Sequence, residues 1–211
     1  MSERISKDQY YLGIAESVGK RATCMRRKYG AVIVSKNDTI VSTGYNGAPR
    51  EVPNCTDLEF CMRNYLGSKQ GEDYGNLCLS VHAEMNAMLS ASTEEMVGST
   101  LYIVGWDVAL EQYASPQPCM ICHRMMINSG IARCVGLVEV KCIASNGDVS
   151  YKYEPGEIDI TPESFEARAN KMYREVVHEV GKEDDPQVVE YFKKRYETMD
   201  GIRAHKVYHI G

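Results

Sequence analysis

A chain of 211 residues, 44% hydrophobic and 25% charged, is long enough to bury a core and has the make-up of an ordinary globular protein. Its formal net charge of -5 argues against a long polyanionic partner, whose phosphates would need an extended basic face; a small ligand with one phosphate needs only a local patch. The polar N-terminus has no apolar leader core and no stretch is long enough to span a bilayer, so the expectation is a cytoplasmic protein whose eight cysteines serve as metal ligands or reduced core thiols rather than disulfides.

In chain order, Ser6 and Gln9 have the spacing of a capping box, Ile5 and Tyr10 that of a hydrophobic staple, and Tyr10, Ile14, Ala15 and Val18 recur at helical period. Residues 30–35 and 39–43 are rich in valine and isoleucine and flank Lys36-Asn37-Asp38, which predicts a strand hairpin running into the turn Gly44-Tyr45-Asn46-Gly47-Ala48-Pro49. From 50 to 79 no periodicity survives, although Cys55, Cys61 and Cys78 fall there; a long irregular loop in a compact domain is usually functional or tied down. A helix over about 82–91, a strand at 101–104, a helix over about 119–128 closing at Gly130, and a strand at 132–140 follow. Asn146-Gly147 then predicts a hairpin turn with its return at 149–153.

The last stretch reads differently. Thr161-Pro162-Glu163 opens a helix whose Phe165, Ala169, Met172, Val176 and Val180 form a stripe ending at Gly181, and Asp185-Pro186 opens another carrying Val188, Val189, Phe192 and Tyr196. This predicts one domain over 1–154 and a helical extension over 155–211, packed on that domain or at a subunit interface.

Two short stretches carry the chemistry: His82-Ala83-Glu84, and Pro118-Cys119-Met120-Ile121-Cys122. One imidazole and two thiolates are the donors zinc takes, and three protein ligands leave the fourth tetrahedral position to water, as in catalytic sites. Glu84 stands two residues from His82 on a predicted helix start, within reach of that water and able to carry protons. H-x-E with P-C-x-x-C is the signature of the zinc deaminases. The bland alternative is a closed zinc knuckle or a redox pair, and neither asks for a carboxylate at that spacing. Cys134 and Cys142 lie in strand-like apolar sequence and read as buried thiols.

Beyond the signature, Tyr29 to Val34, Gly44 to Pro49, Val81 to Ala87 and Cys119 to Ile131 resemble the deoxycytidylate (dCMP) deaminases and the related ComE operon protein 2 group of the zinc-dependent cytidine deaminase superfamily. The resemblance implies a three-layer α/β/α sandwich around a five-stranded mixed sheet and hydrolytic deamination of dCMP to dUMP. In that reaction Glu84 passes protons to N3 and to the leaving amino group of cytosine. It also implies Asn46 on the sugar, whose plainer reading is an Asn-Gly turn, and the backbone of Ala83 against the pyrimidine. Some members hold a second, structural zinc at positions matching Cys24 and Cys55; Cys61 and Cys78 would complete a four-cysteine site here. Many members are homo-oligomers, often hexamers, raised by dCTP and lowered by dTTP, with the turn bearing Tyr45 and Gly47 near the effector. For phosphate, of substrate or effector, the sequence offers Arg26, Arg27, Lys28 and Arg50.

Two stretches depart from the family: the tail from about 154, and residues 105–117, whose Trp106 and Tyr113, with Pro116-Gln117-Pro118, are placed to line the pocket. Two alternatives stay open. One is the same chemistry on another base, nucleoside or nucleotide, such as guanine or adenosine in tRNA. The other is a nucleotide-binding competence-related protein with a vestigial site, which has no need of an intact Glu84.

Overall fold

The computed structural model describes residues 4–69 and 74–207, with side chains described as far as Arg195 and at Glu197. By contacts the chain divides into two compact units, Met1–Phe165 and Glu166–Gly211.

The first unit begins with α1 (Lys7–Gly19), started by the predicted capping box: Ser6 Oγ accepts from the Gln9 amide at 3.1 Å and Gln9 Oε1 from the Ser6 amide at 2.9 Å. The buried residues are Tyr11, Leu12 and Ala15, with Ile14 and Val18 packed against them as expected; of the predicted stripe only Tyr10 is exposed. Tyr11 takes the inward place instead, and its hydroxyl is satisfied there by donating to Asp38 Oδ1 at 2.9 Å.

Strands β1 (Arg27–Val34) and β2 (Ile40–Tyr45) form the hairpin, and β1 also pairs antiparallel with β3 (Thr100–Asp107). Strand β3 in turn pairs in parallel with β5 (Arg133–Ile143), which pairs antiparallel with β6 (Val149–Ile158), a longer return than predicted. The mixed sheet runs β2-β1-β3-β5-β6, the five strands expected, plus a sixth within the 105–117 stretch. That sixth strand, β4 (Gln112–Ala114), takes over the edge of β3 at Gly105–Asp107, beyond the last residue paired with β5.

Helix α1 covers one face of the sheet, where Tyr11, Leu12 and Ala15 pack with Val32, Val34, Tyr102, Val104 and Val135. The other face packs Ala31, Ile33, Leu101 and Ile103 against α4 (Ala83–Leu89) and α6 (Met120–Ser129). The irregular stretch before α4 holds two single turns, α2 (Cys55–Leu58) and α3 (Met62–Tyr65), and α5 (Thr93–Met96) leads into β3. Gly130, at φ 77°, ends α6 in the left-handed conformation that its position after the helix predicts.

Gly44 sets the seat of α4. A Cβ there would overlap the Ala83 carbonyl oxygen and the Ala87 amide nitrogen, both backbone atoms. Gly44→Ala should therefore push α4 off the sheet, lowering the unfolding free energy by roughly 1–3 kcal/mol, as overpacking does, and weakening metal retention with it. Thermal unfolding and metal content measured on the same variant check both effects.

The second unit is an antiparallel helical pair, the rest of α7 (Pro162–Glu179) with α8 (Pro186–Val207). Arg195 grips the Glu166 carboxylate with both Nε (2.7 Å) and Nη2 (2.6 Å), a fork-to-fork pair that fixes their register. Val176, Val180 and Val189 remain exposed. No helix among the described residues is long and apolar enough to cross a membrane.

Candidate metal centre

Each donor sits at the mouth of a helix. His82 is the residue before α4 and Cys119 the residue before α6, both in extended backbone, and Cys122 lies one turn into α6. Cys119 Sγ accepts from the Cys122 amide at 3.4 Å. The loop before His82 is tied to the Gly44-to-Gly47 turn by a two-way bridge, Gly47 N–H to the Val81 carbonyl (3.2 Å) and Val81 N–H to the Gly47 carbonyl (2.8 Å). The Asn86 side-chain Nδ2 of α4 also donates to the Tyr45 carbonyl at 2.7 Å. The turn thus holds the imidazole in place.

His82 Nδ1 is 3.4 Å from Cys119 Sγ and 3.4 Å from Cys122 Sγ, and one ligand atom from each residue lies within 4.8 Å of the others. Tetrahedral zinc, with Zn–S about 2.3 Å and Zn–N about 2.0–2.1 Å, sets its nitrogen and sulfur ligands about 3.5 Å apart, so this donor set fits the ion. Among the described residues no other group of three or more His, Cys, Asp or Glu converges as closely.

Without an ion, only Cys119 of the three donors is shifted toward the deprotonated form that zinc takes. Hydrogen bonding from Cys122 and from His82 pulls the Cys119 thiol down to about 4 against the cost of burial, while Cys122, its donor, is pushed up. Burial alone would depress the His82 imidazole, but its bond to Cys119 and the Glu84 charge outweigh that and raise it. Glu84, on the first turn of α4 and 5% exposed, has its carboxyl raised by burial. The fully covered Cys134 thiol is likewise raised by burial, then by the Glu84 charge, as befits an inert core thiol. Cys142 is partly exposed on β5.

The other sequence-predicted residues are scattered. Asn46 is buried and its amide braces β1: Oδ1 accepts from the Tyr29 amide at 2.7 Å and Nδ2 donates to the Arg27 carbonyl at 2.9 Å. Ala83 is fully buried beneath Gly44. Arg27 is spent on Asp107, Nε to Oδ2 at 2.8 Å. Lys28, next on the strand, points to the α1 side, as do Trp106 and Tyr113, so these two aromatics do not line the zinc face as expected; strand alternation carries them to the opposite side. Pro118 is fully buried and Pro116 covers Gly136. Arg50 is exposed on the turn. Cys24, Cys55, Cys61 and Cys78 lie close enough that, after burial, the other three charges raise Cys55, but no three of these sulfurs draw within 4.8 Å of one another.

Sequence reasoning missed Arg63 and Tyr74. The Tyr74 ring meets the His82 ring edge-on at 4.7 Å, and the Arg63 guanidinium lies 4.3 Å over the Tyr74 ring. Arg63 is 6% exposed and its charge reaches His82. Its Nη2 donates to the Lys69 carbonyl, and Arg26 Nη2 donates to the neighbouring Ser68 carbonyl, each at 2.9 Å. Arg63 Nε and Arg26 Nη1 are buried without a hydrogen-bond partner among the described residues. Two guanidinium groups therefore meet on one loop segment, each with a spare N–H.

Residues 5–138 match the family model described as the cytidine and deoxycytidylate deaminase zinc-binding region. The chain belongs to this family. Within it, the chain is 38% identical over 132 residues to the deoxycytidylate deaminase of Mycobacterium phage D29, covering 61% of this chain and 91% of the phage protein. It is 36% identical over 132 residues to the deoxycytidylate deaminase of Schizosaccharomyces pombe, covering 63% of this chain but only 37% of that one. To ComE operon protein 2 of Bacillus subtilis it is 33% identical over 129 residues, 61% of this chain and 58% of the relative. The family match ends within β5, so α7 and α8 of this deaminase-family chain lie outside it.

Proposed function

We propose that the chain is a zinc-dependent hydrolase that deaminates dCMP to dUMP and releases ammonia. The observation that carries this is a buried carboxyl, Glu84, on the first turn of the helix that His82 precedes, where His82 converges with Cys119 and Cys122. Zinc held by those three would act as a Lewis acid and make a water nucleophilic near neutral pH. Glu84 would take the proton from that water and pass it to N3 as the hydroxide adds to C4 of the cytosine; the proton of the new C4 hydroxyl would then pass through Glu84 to the amino group as the C4–N bond breaks, leaving the uracil carbonyl and ammonia. Its buried setting suits a carrier, because a raised carboxyl gives up and regains a proton more evenly than a solvated one. Asn46 keeps one N–H and one lone pair for the sugar, and Ala83 backs the ring.

Kinship in sequence to deoxycytidylate deaminases supports cytosine on a deoxynucleotide as the substrate. Ammonia release from purified protein tests it across dCMP, deoxycytidine, guanine and adenosine substrates. The expected result is release from dCMP well above the rest; release only from another substrate rejects the assignment.

The proposal extends in three directions. A second zinc on Cys24, Cys55, Cys61 and Cys78 is supported by the family resemblance at Cys24 and Cys55, and the Arg26 amide, which donates to Cys24 Sγ at 3.4 Å, would help to hold a thiolate there. Such a site would fasten the irregular loop that carries Arg63 and Tyr74. Self-association through the helical extension is supported by the exposed valines of α7 and α8, and the family resemblance supports a hexamer answering to dCTP and dTTP. Thiolate ligands need reduced cysteines, which supports the cytoplasm as the setting.

A further inference from the structure

Tyr29 stands on β1 directly opposite Gly105 of β3 and packs with the cluster under α4, on the metal side of the sheet. Its ring lies across Gly105, where a Cβ would overlap its Cε1 and Cδ1, and so reaches to the far side of β3. There its hydroxyl donates to the Ser115 carbonyl at 2.9 Å. Burial pushes the pKa of that hydroxyl up despite the Arg27 charge, and the Glu84 charge adds to the rise, so the group stays protonated and donates near neutral pH.

Ser115 begins the strap 115–118, which joins β4 to Cys119. The strap belongs to no strand or helix, and Pro116 and Pro118 have no N–H to give, so a ladder of backbone bonds cannot fasten it to the sheet. Fit and one tether do so instead. Pro116 fills the space that a Cβ on Gly136 would take, Pro118 is fully buried, and the Tyr29 hydroxyl holds the first carbonyl.

The backbone of the same residue holds the other half of the site. The Tyr29 amide donates to Asn46 Oδ1 at 2.7 Å, and the Tyr29 carbonyl accepts from the Asn46 amide at 3.3 Å. Gly47, next in the turn, exchanges bonds with Val81, the residue before His82. Tyr29 thus touches both the turn that fixes His82 and the strap that delivers Cys119. We propose that Tyr29 is a positioning residue that sets the two halves of the site against each other, its hydroxyl acting on Cys119 through the Ser115 carbonyl, a role that rests on His82, Cys119 and Cys122 being zinc ligands.

Tyr29→Phe removes one oxygen and leaves the ring over Gly105. From the zinc-loaded protein in excess chelator, the variant should release zinc roughly three- to tenfold faster than the parent, the worth of one hydrogen bond. With cobalt in place of zinc, the thiolate-to-cobalt absorption should keep its intensity, because both cysteines still bind, while the visible ligand-field bands shift as the angles between donors change. Tyr113→Phe is the control: it removes a hydroxyl bonded to Glu16 on the α1 side, and should match the parent in both measurements. Parent-like release and bands in Tyr29→Phe, or equal acceleration in both variants, would overturn the proposal. A parent that takes up neither zinc nor cobalt would remove the zinc reading itself, and this role with it.

Discussion

Glu84→Gln should lower dCMP turnover by about 100- to 10,000-fold, the range for losing a positioned acid–base group, while zinc content stays as in the parent. The reason is steric as well as chemical. Glutamine fills the same buried volume on the first turn of α4, so the packing of Ala83 and Ala87 under Gly44 and the placement of His82 are undisturbed. What changes is that the amide cannot accept and return a proton. Substrate affinity should change much less than turnover. Turnover and metal analysis on one preparation decide the matter: zinc lost from the variant would make Glu84 a ligand, and turnover near that of the parent would remove it from proton transfer altogether.

The convergence of His82, Cys119 and Cys122 could be read from the sequence because a metal fixes the types of its donors, and because each half of the motif stands at a helix start that local residues announce. The capping box at Ser6 and the cap at Gly130 were legible for the same local reason. Other features depend on contacts distant in sequence. On α1 it is Tyr11 rather than Tyr10 that faces inward, where its hydroxyl finds Asp38, 27 residues on. The three-residue β4 exists only as a partner for the exposed end of β3. Arg27, Lys28 and Tyr29 look alike as a basic run with an aromatic, yet strand alternation sends Lys28 to the α1 face while Arg27 pairs with Asp107. Arg63 and Tyr74 were invisible because their loop has no period, and only the fold brings them onto His82.

Those loop residues give the second large effect. Arg63→Met should reduce kcat/KM for dCMP by roughly 10- to 100-fold, the worth of one charge-assisted bond, and leave the weak turnover of deoxycytidine nearly unchanged; Arg26→Met should do the same to a lesser degree. Arg63 is buried with no carboxylate partner among the described residues, held by one carbonyl and the Tyr74 ring, and its Nε has no acceptor. A buried cation in that state is costly, and an anion arriving beside it relieves the cost. Arg26, bonded to the adjacent carbonyl and also holding an unused N–H, is placed to share that anion, and the 5'-phosphate is the anion that distinguishes dCMP from its nucleoside. Stability separates this from a merely structural role. If Arg63 serves phosphate, the methionine variant should melt at or above the temperature of the ligand-free parent, and dUMP should raise the melting temperature of the parent far more than that of the variant. A variant that melts lower and loses dCMP and deoxycytidine turnover in equal proportion would make Arg63 a brace for the loop and place phosphate selection elsewhere.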